Sequence, residues 1–276
     1  MKYHTTFLVS LYTTMCLLSG CTTSPAPETE KPVELIVFAA SSMTETMTTL
    51  GNQYMEENSG ISIVFNFDSS GTLKTQIQEG ASCDIFISAG QKQMDQLDIT
   101  ADLSMNTDRL DFILEDSRFD ILENQVALAV PDGNPASIHS YQDLSNALTV
   151  GEIILAIGNS DVPVGQYTRD ILRYFDLDEK QLASDGRITY GSNVKEVTTQ
   201  VSEAIVDCGI IYQTDAFSAG LTTVDTADSA MCGQVIYPAA IMKASKHPDD
   251  AQAFLNFIIS DTGDNVFSAV GFTPIA

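Results

Sequence analysis

Four short stretches of small and hydroxyl residues each follow an apolar run and precede a helical pattern. They are Ser41-Ser42, Ser69-Ser70-Gly71-Thr72, Pro163-Val164-Gly165 and Ser192-Asn193-Val194. The first turn of a helix carries backbone N–H groups that the helix itself cannot satisfy, together with the positive end of its aligned peptide dipoles. Both features bind anions. In open α/β sheets such helix starts lie at the carboxyl ends of strands, where ligands sit. Two starts from each half of the chain could therefore converge on one small anion. Ser, Thr and Asn are also good N-caps, and on pattern alone the two readings stand side by side.

Other chemistries lack their residues. The sequence has no Walker-type glycine loop, no G-x-G-x-x-G, no H-E-x-x-H and no G-x-S-x-G. Beyond the leader only His139 and His247 remain, both beside turn residues, and they read as surface side chains. No His/Cys cluster offers a transition-metal cage, and no D-x-D-x-D-G run organises the acids for a hard cation. No nucleophile–base pair is recognisable, so the chain is read as a non-enzyme without a cofactor. The formal charge of −24, with no basic cluster, excludes nucleic-acid binding. It also sets a condition: bulk electrostatics oppose an anionic ligand, so local dipoles must hold it.

The elements that must carry these residues follow from periodicity. Leu35 to Phe38, Ile61 to Phe65 and Asp84 to Ile87 read as strands; Met43, Met47, Leu50 and Tyr54 fall at helical spacing, as do Leu73 and Ile77. Strand–helix alternation of this kind implies parallel pairing with right-handed crossovers. The stretch from Ile99 to Glu123 is acidic and irregular and reads as a peripheral excursion. A second series begins at Val126 to Val130, turns at Pro131 to Pro135, and continues with strands at Ile153 to Ile157 and Gly209 to Tyr212. Helices are predicted over 164–175 and 193–206, the latter with Val194, Val197, Val201 and Ile205 as one apolar stripe. A strand over 235–242, a helix opened by Pro248 and a final short helix end the chain. The leftover terminal elements predict a return to the first half, with two crossings acting as a hinge.

The termini and length suit a protein that works just outside a membrane. Phe7 to Leu18 is apolar but short for a membrane span, and Leu18-Ser19-Gly20-Cys21 resembles the lipobox of bacterial lipoproteins. That resemblance implies a signal peptide over 1–20 and lipidation of Cys21. Residues 21–32 hold Pro, Thr, Ser and Glu without a large apolar side chain and read as a flexible tether. Roughly 245 residues remain, which suits two lobes. These are read as 33–123 with 235–276 for lobe I and 124–234 for lobe II. Of the cysteines beyond the tether, Cys208 and Cys232 could form a disulfide; three free thiols with Cys83 is the equal alternative.

An ordered set of motifs resembles the periplasmic molybdate-binding proteins of ABC importers over 34–273. The set comprises Val37-Phe38-Ala39-Ala40-Ser41-Ser42-Met43-Thr44, Phe67-Asp68-Ser69-Ser70-Gly71-Thr72-Leu73 and Cys83-Asp84-Ile85-Phe86-Ile87-Ser88-Ala89. It continues with Val162-Pro163-Val164-Gly165, Asn193-Val194-Lys195, Gly209 to Ala216, Tyr237-Pro238 and Gly271-Phe272-Thr273. The resemblance implies a two-lobed α/β fold of the type II periplasmic-binding-protein kind. Each lobe would be a mixed, mostly parallel sheet flanked by helices, with the ligand in the cleft. It also implies hydroxyls and N–H groups from Ser42 and Ser70, N–H groups from Val164 and Val194, and the phenol of Tyr212. The ligand implied is molybdate or tungstate, and the partner is an ABC permease. The body would be a monomer tied to the membrane by its lipid alone. A receptor for sulfate or another oxyanion, or a sensory lipoprotein, is the alternative. Val164 and Gly71 depart from the family, which often has a smaller residue and a serine there. Lys195 and Lys74 read as solvent-facing.

Overall fold

The computed structural model describes residues 1–2, 32–151 and 153–276. The leader, the tether and Cys21 lie outside the described residues, except for Met1, Lys2 and Pro32. From Val33 the chain forms β1 (Val33–Ala40), a 3-10 turn (Ser41–Met43), α1 (Thr44–Glu57), β2 (Ile61–Asp68), α2 (Ser70–Gln78), β3 (Ile85–Ile87) and α3 (Gln91–Asp95). After an irregular stretch come β4 (Phe119–Asn124), β5 (Val126–Val130), α4 (Tyr141–Val150), β6 (Leu155–Gly158), α5 (Pro163–Tyr174) and α6 (Glu179–Ser184). There follow β7 (Ile188–Gly191), α7 (Val194–Ser202), β8 (Cys208–Tyr212), α8 (Gln213–Ser218), β9 (Thr222–Thr226) and α9 (Ser229–Cys232). The chain ends with β10 (Val235–Ile241), α10 (Pro248–Ile258), α11 (Asp261–Ser268) and β11 (Thr273–Pro274).

Two sheets result, in the orders β11-β4-β10-β3-β1-β2 and β7-β6-β8-β5-β9. Each sheet with its helices is called a lobe below. β1 pairs parallel with β2 and β3, and β6 pairs parallel with β7 and β8. The parallel share is smaller than the alternation predicts. β10 runs antiparallel to β3 and β4, β11 to β4, and β5 to β8 and β9. The cause is the crossing between sheets. Only Gln125 separates β4 from β5, so the chain passes straight from one sheet into the other with no helical crossover to keep it parallel.

Burial explains the strands. β5 and β8 are buried along their whole length, as expected of strands covered on both faces. α1 turns Met47, Leu50 and Tyr54 inward, and Tyr54 packs against Phe254 and Phe257 of α10. α7 turns Val194, Val197 and Val201 inward. It stops at Ser202, however, and Ile205, expected on the same stripe, is exposed. The expected excursion also shrinks, because its last residues form β4 inside the first sheet. Ahead of β4, Arg118 ties the loop to α3 through Asp95 at 2.6 Å and Asp98 at 2.8 Å.

Two smaller expectations change. Cys83, Cys208 and Cys232 are all free thiols, so the considered Cys208–Cys232 disulfide is not formed. Cys208 is sealed at the start of β8, while the Cys232 thiol, at the end of α9, faces the Gly233 carbonyl at 3.8 Å. His139 is exposed, but His247 is half-buried beside Asp250 at 4.0 Å. Among the described residues no helix is long and apolar enough to cross a membrane.

Candidate functional site

The carboxyl ends of β1 and β2 face the start of α7 and the end of β8 across a small cavity. Ser41, Ser42, Ser69, Ser70, Ala89, Val162, Pro163, Val194 and Tyr212 line it, with Ala40 and Asp68. Of the five sequence-predicted residues, Ser42, Ser70, Val194 and Tyr212 meet here. Val164 is fully buried one residue behind the lining Pro163. Proline has no N–H, so the Val164 amide is the first that α5 can offer. A larger groove lies at the opposite ends of β1 and β3, beside Glu34, Asp84 and Lys243, and contains none of these residues.

The helix caps and the other cavity-lining serines are different residues. The cap of α2 is Ser69, whose hydroxyl accepts the Thr72 N–H at 3.1 Å, and the cap of α7 is Asn193, which accepts the Glu196 N–H at 3.0 Å. Ser70 and Ser42 do neither task. Ser70 Oγ accepts the Ala89 N–H at 2.9 Å, which leaves its own proton to point elsewhere. Ser42 Oγ lies 2.9 Å from the Tyr237 hydroxyl, and that oxygen accepts from Asn124 Nδ2 at 3.2 Å. The Ser42 and Tyr237 hydroxyls share one hydrogen bond, in which either can be the donor. As first-turn residues, Ser70, Val164 and Val194 also hold N–H groups that their helices leave without acceptors.

Tyr212 is buried and donates to the Ala89 carbonyl at 3.2 Å, from one lobe to the other. Burial pushes the phenols of Tyr212 and Tyr237 well above their ordinary value, so both keep their protons across the physiological range. A second interlobe bond joins the Gly71 N–H to the Asp161 carbonyl at 3.0 Å. Gly71 is required there: a Cβ would stand 2.3 Å from the Asp161 oxygen. Gly165 is likewise required inside the second lobe, where a Cβ would meet the Gly158 oxygen at 2.2 Å. Without that contact α5 could not bring its first amides to the end of β6.

No Lys or Arg lines the cavity, and the one charged lining residue, Asp68, accepts the Ser69 N–H at 2.7 Å. A dianion here meets neutral donors only. Lys195 corrects the sequence reading. It is not solvent-facing: its ammonium contacts Glu45 of α1 at 2.8 Å and Asp215 of α8 at 3.3 Å. Asn124, Tyr237, Gly71 with Asp161, and the Glu45–Lys195–Asp215 group were not singled out as site residues from sequence. Gly71, Lys195, Asp215 and Tyr237 do stand within the resembling motifs, whereas Glu45, Asn124 and Asp161 carry no such signal.

Residues 35–273 match the family model for bacterial extracellular solute-binding proteins. The chain is 30% identical over 99% of its length, and 98% of the relative's, to YvgL of Bacillus subtilis, provisionally named an ABC transporter substrate-binding lipoprotein. It is also 30% identical, over 87% of its length and 90% of the relative's, to the molybdate-binding protein ModA of Haemophilus influenzae. The periplasmic molybdate-binding protein of Azotobacter vinelandii superposes with a TM-score of 0.72 over 88% of this chain and all of that one, at 21% identity.

Proposed function

The chain belongs to the bacterial extracellular solute-binding proteins, as a ModA-like member serving an ABC transporter, and we propose that its solute is molybdate or tungstate. Its relatives are transport receptors, not enzymes. The observation that carries the reading is the division of labour at the helix starts. Ser69 and Asn193 cap the helices, while Ser70 keeps its hydroxyl proton free and Ser42 places its hydroxyl beside Tyr237, both at a cavity that the two lobes line.

Ser42 and Ser70 donate through their hydroxyls and amides, and Val164 and Val194 through their amides. Tyr212 exchanges its bond to the Ala89 carbonyl for one to the anion. Each of these bonds is charge-assisted by the ligand. Because every donor keeps its proton, a protonated oxyanion such as hydrogen phosphate sets donor against donor and leaves a buried group unpaired, at a cost of about 1–3 kcal/mol. Molybdate and tungstate avoid this; sulfate does too, but it is smaller and stretches the bonds. Contributions from both lobes make the anion favour the closed arrangement. Delivery is to a membrane permease, with the body held at the outer face through a lipid on Cys21.

Titration calorimetry of the full chain with molybdate, tungstate, sulfate and phosphate tests the reading. Tight molybdate binding that is lost in the double variant Ser42→Ala, Ser70→Ala is expected. Sulfate binding as tightly as molybdate would overturn the ligand assignment.

A further inference from the structure

Each of three cavity segments carries one ionised side chain just behind its lining residue. Glu45 follows Ser42 on the first turn of α1, Lys195 follows Val194, and Asp215 follows Tyr212 on the first turn of α8. Lys195 Nζ lies 2.8 and 3.0 Å from the two Glu45 oxygens, across the interlobe boundary, and 3.3 Å from Asp215 within its own lobe. The Asp215 side chain is fully buried, and neither of its oxygens has a hydrogen-bond partner among the described residues. Its compensation is the ion pair alone. Lys195 is about one-third exposed and Glu45 about half.

These unequal exposures assign unequal tasks. The Lys195–Asp215 pair stays inside one lobe and survives any separation of the two. The Lys195–Glu45 pair exists only while the lobes touch. Asp215 holds the lysine stem against its own lobe and aims the ammonium at α1, so less side-chain freedom is lost when Glu45 arrives. Lys195 itself does not line the cavity.

We infer that Lys195 is a positioning residue that slows release of the bound anion by pairing with Glu45 only when the lobes are closed. This rests on the oxyanion-receptor reading above. Because the pair forms after the anion is captured, it acts on dissociation rather than association. Neutralising Glu45 should therefore speed release roughly two- to fivefold, the size of a partly exposed ion pair.

The test uses the full chain loaded with radiolabelled molybdate and chased with unlabelled molybdate, and rapid-mixing tyrosine fluorescence for association, since the chain has nine Tyr and no Trp. Glu45→Gln should accelerate release, leave association unchanged and remove the increase of release rate with added KCl that is expected of the unsubstituted chain. In a Lys195→Met background Glu45→Gln should add nothing. Lys195→Met leaves Asp215 unpaired and could unfold, but Glu45→Gln changes an exposed group and retains the test. Amide exchange without any oxyanion gives a ligand-independent arm: the Gly71 N–H, protected only at the interlobe contact, should exchange faster in Glu45→Gln. If the unsubstituted chain retains no label, the ligand reading fails and the exchange arm alone decides the latch. Unchanged release and unchanged exchange in Glu45→Gln, or additive effects with Lys195→Met, would overturn the inference.

Discussion

Replacing Gly71 by alanine isolates lobe closure from everything else in the protein. The added Cβ would lie 2.3 Å from the Asp161 oxygen and 2.8 Å from its Cα, against ordinary contacts of 3.4–4 Å. The deficit is about 1 Å, and the atoms on the far side are largely backbone, so little can yield. The lobes must stand apart by about that much. Two interlobe bonds then pass out of range: Gly71 N–H to Asp161 at 3.0 Å and Tyr212 O–H to Ala89, or to the anion that replaces it, at 3.2 Å. At least one charge-assisted bond from Val194 or Val164 to the ligand stretches with them. Taking about 1 kcal/mol for each neutral bond and about 1.5–3 for the charged one gives a loss of about 3–5 kcal/mol. At tenfold per 1.4 kcal/mol, affinity falls between about a hundredfold and several thousandfold. The unliganded protein should not suffer, because Gly71 is the second residue of α2 and lies outside the left-handed region. Alanine is the better helix former by about 0.5–1 kcal/mol. Calorimetry paired with thermal melting of the unliganded chain reads both sides. Unsubstituted affinity in Gly71→Ala would refute the reasoning, as would a fall in unliganded melting temperature.

Gly165→Ala is the contrasting case. Its Cβ would meet the Gly158 and Asn159 oxygens at 2.2 and 2.5 Å within a single lobe, so melting temperature drops with or without ligand, by about 1–3 kcal/mol of stability. Tyr237→Phe removes the hydroxyl that holds Ser42 Oγ at 2.9 Å while Asn124 keeps Thr214 at 2.9 Å; affinity by calorimetry should fall about tenfold with the fold intact. Asp215 gives a pH signature. Burial raises its pKa to about 6, partly offset by Lys195, so between the ordinary carboxylate value and 6 the folded chain holds a proton that the unfolded chain has released. The contribution of Asp215 to stability therefore declines as pH rises through that window and stays lower above it, by roughly 3 kcal/mol in all. Urea midpoints for Asp215→Asn minus those of the unsubstituted chain should change across pH 4–6; a flat difference would contradict the assignment.

The strongly apolar strands and the amphipathic helices were legible because burial on one or both faces writes itself into local spacing. β1, β2, β3, β5 and β8 fall where the pattern predicts, and α5 runs from Pro163 as its sequence implies. α4, α6, α8, α9, β7 and β9 were not read. β9, Thr-Thr-Val-Asp-Thr, is an edge strand with partial burial and no apolar alternation, and β7 has only four residues. β4 was absorbed into the acidic excursion because its partners β10 and β11 arrive over 100 residues later. The same separation hid the ion group: Lys195 and Glu45 are 150 residues apart, and nothing local distinguishes a lysine aimed across a cleft from one in water. The helix starts were visible as a set, but which serine caps and which faces the cavity depends on Ala89, Asn124 and Tyr237. Those neighbours come from other segments.

X-ray data collected at the molybdenum absorption edge from crystals of the molybdate-loaded chain would test the central claim most directly. One anomalous peak should appear among Ser42, Ser70, Val194 and Tyr212, with its oxygens at hydrogen-bond distance from donors of both lobes and from no lysine or arginine. A peak in the groove beside Lys243, or contacts from one lobe only, would contradict it.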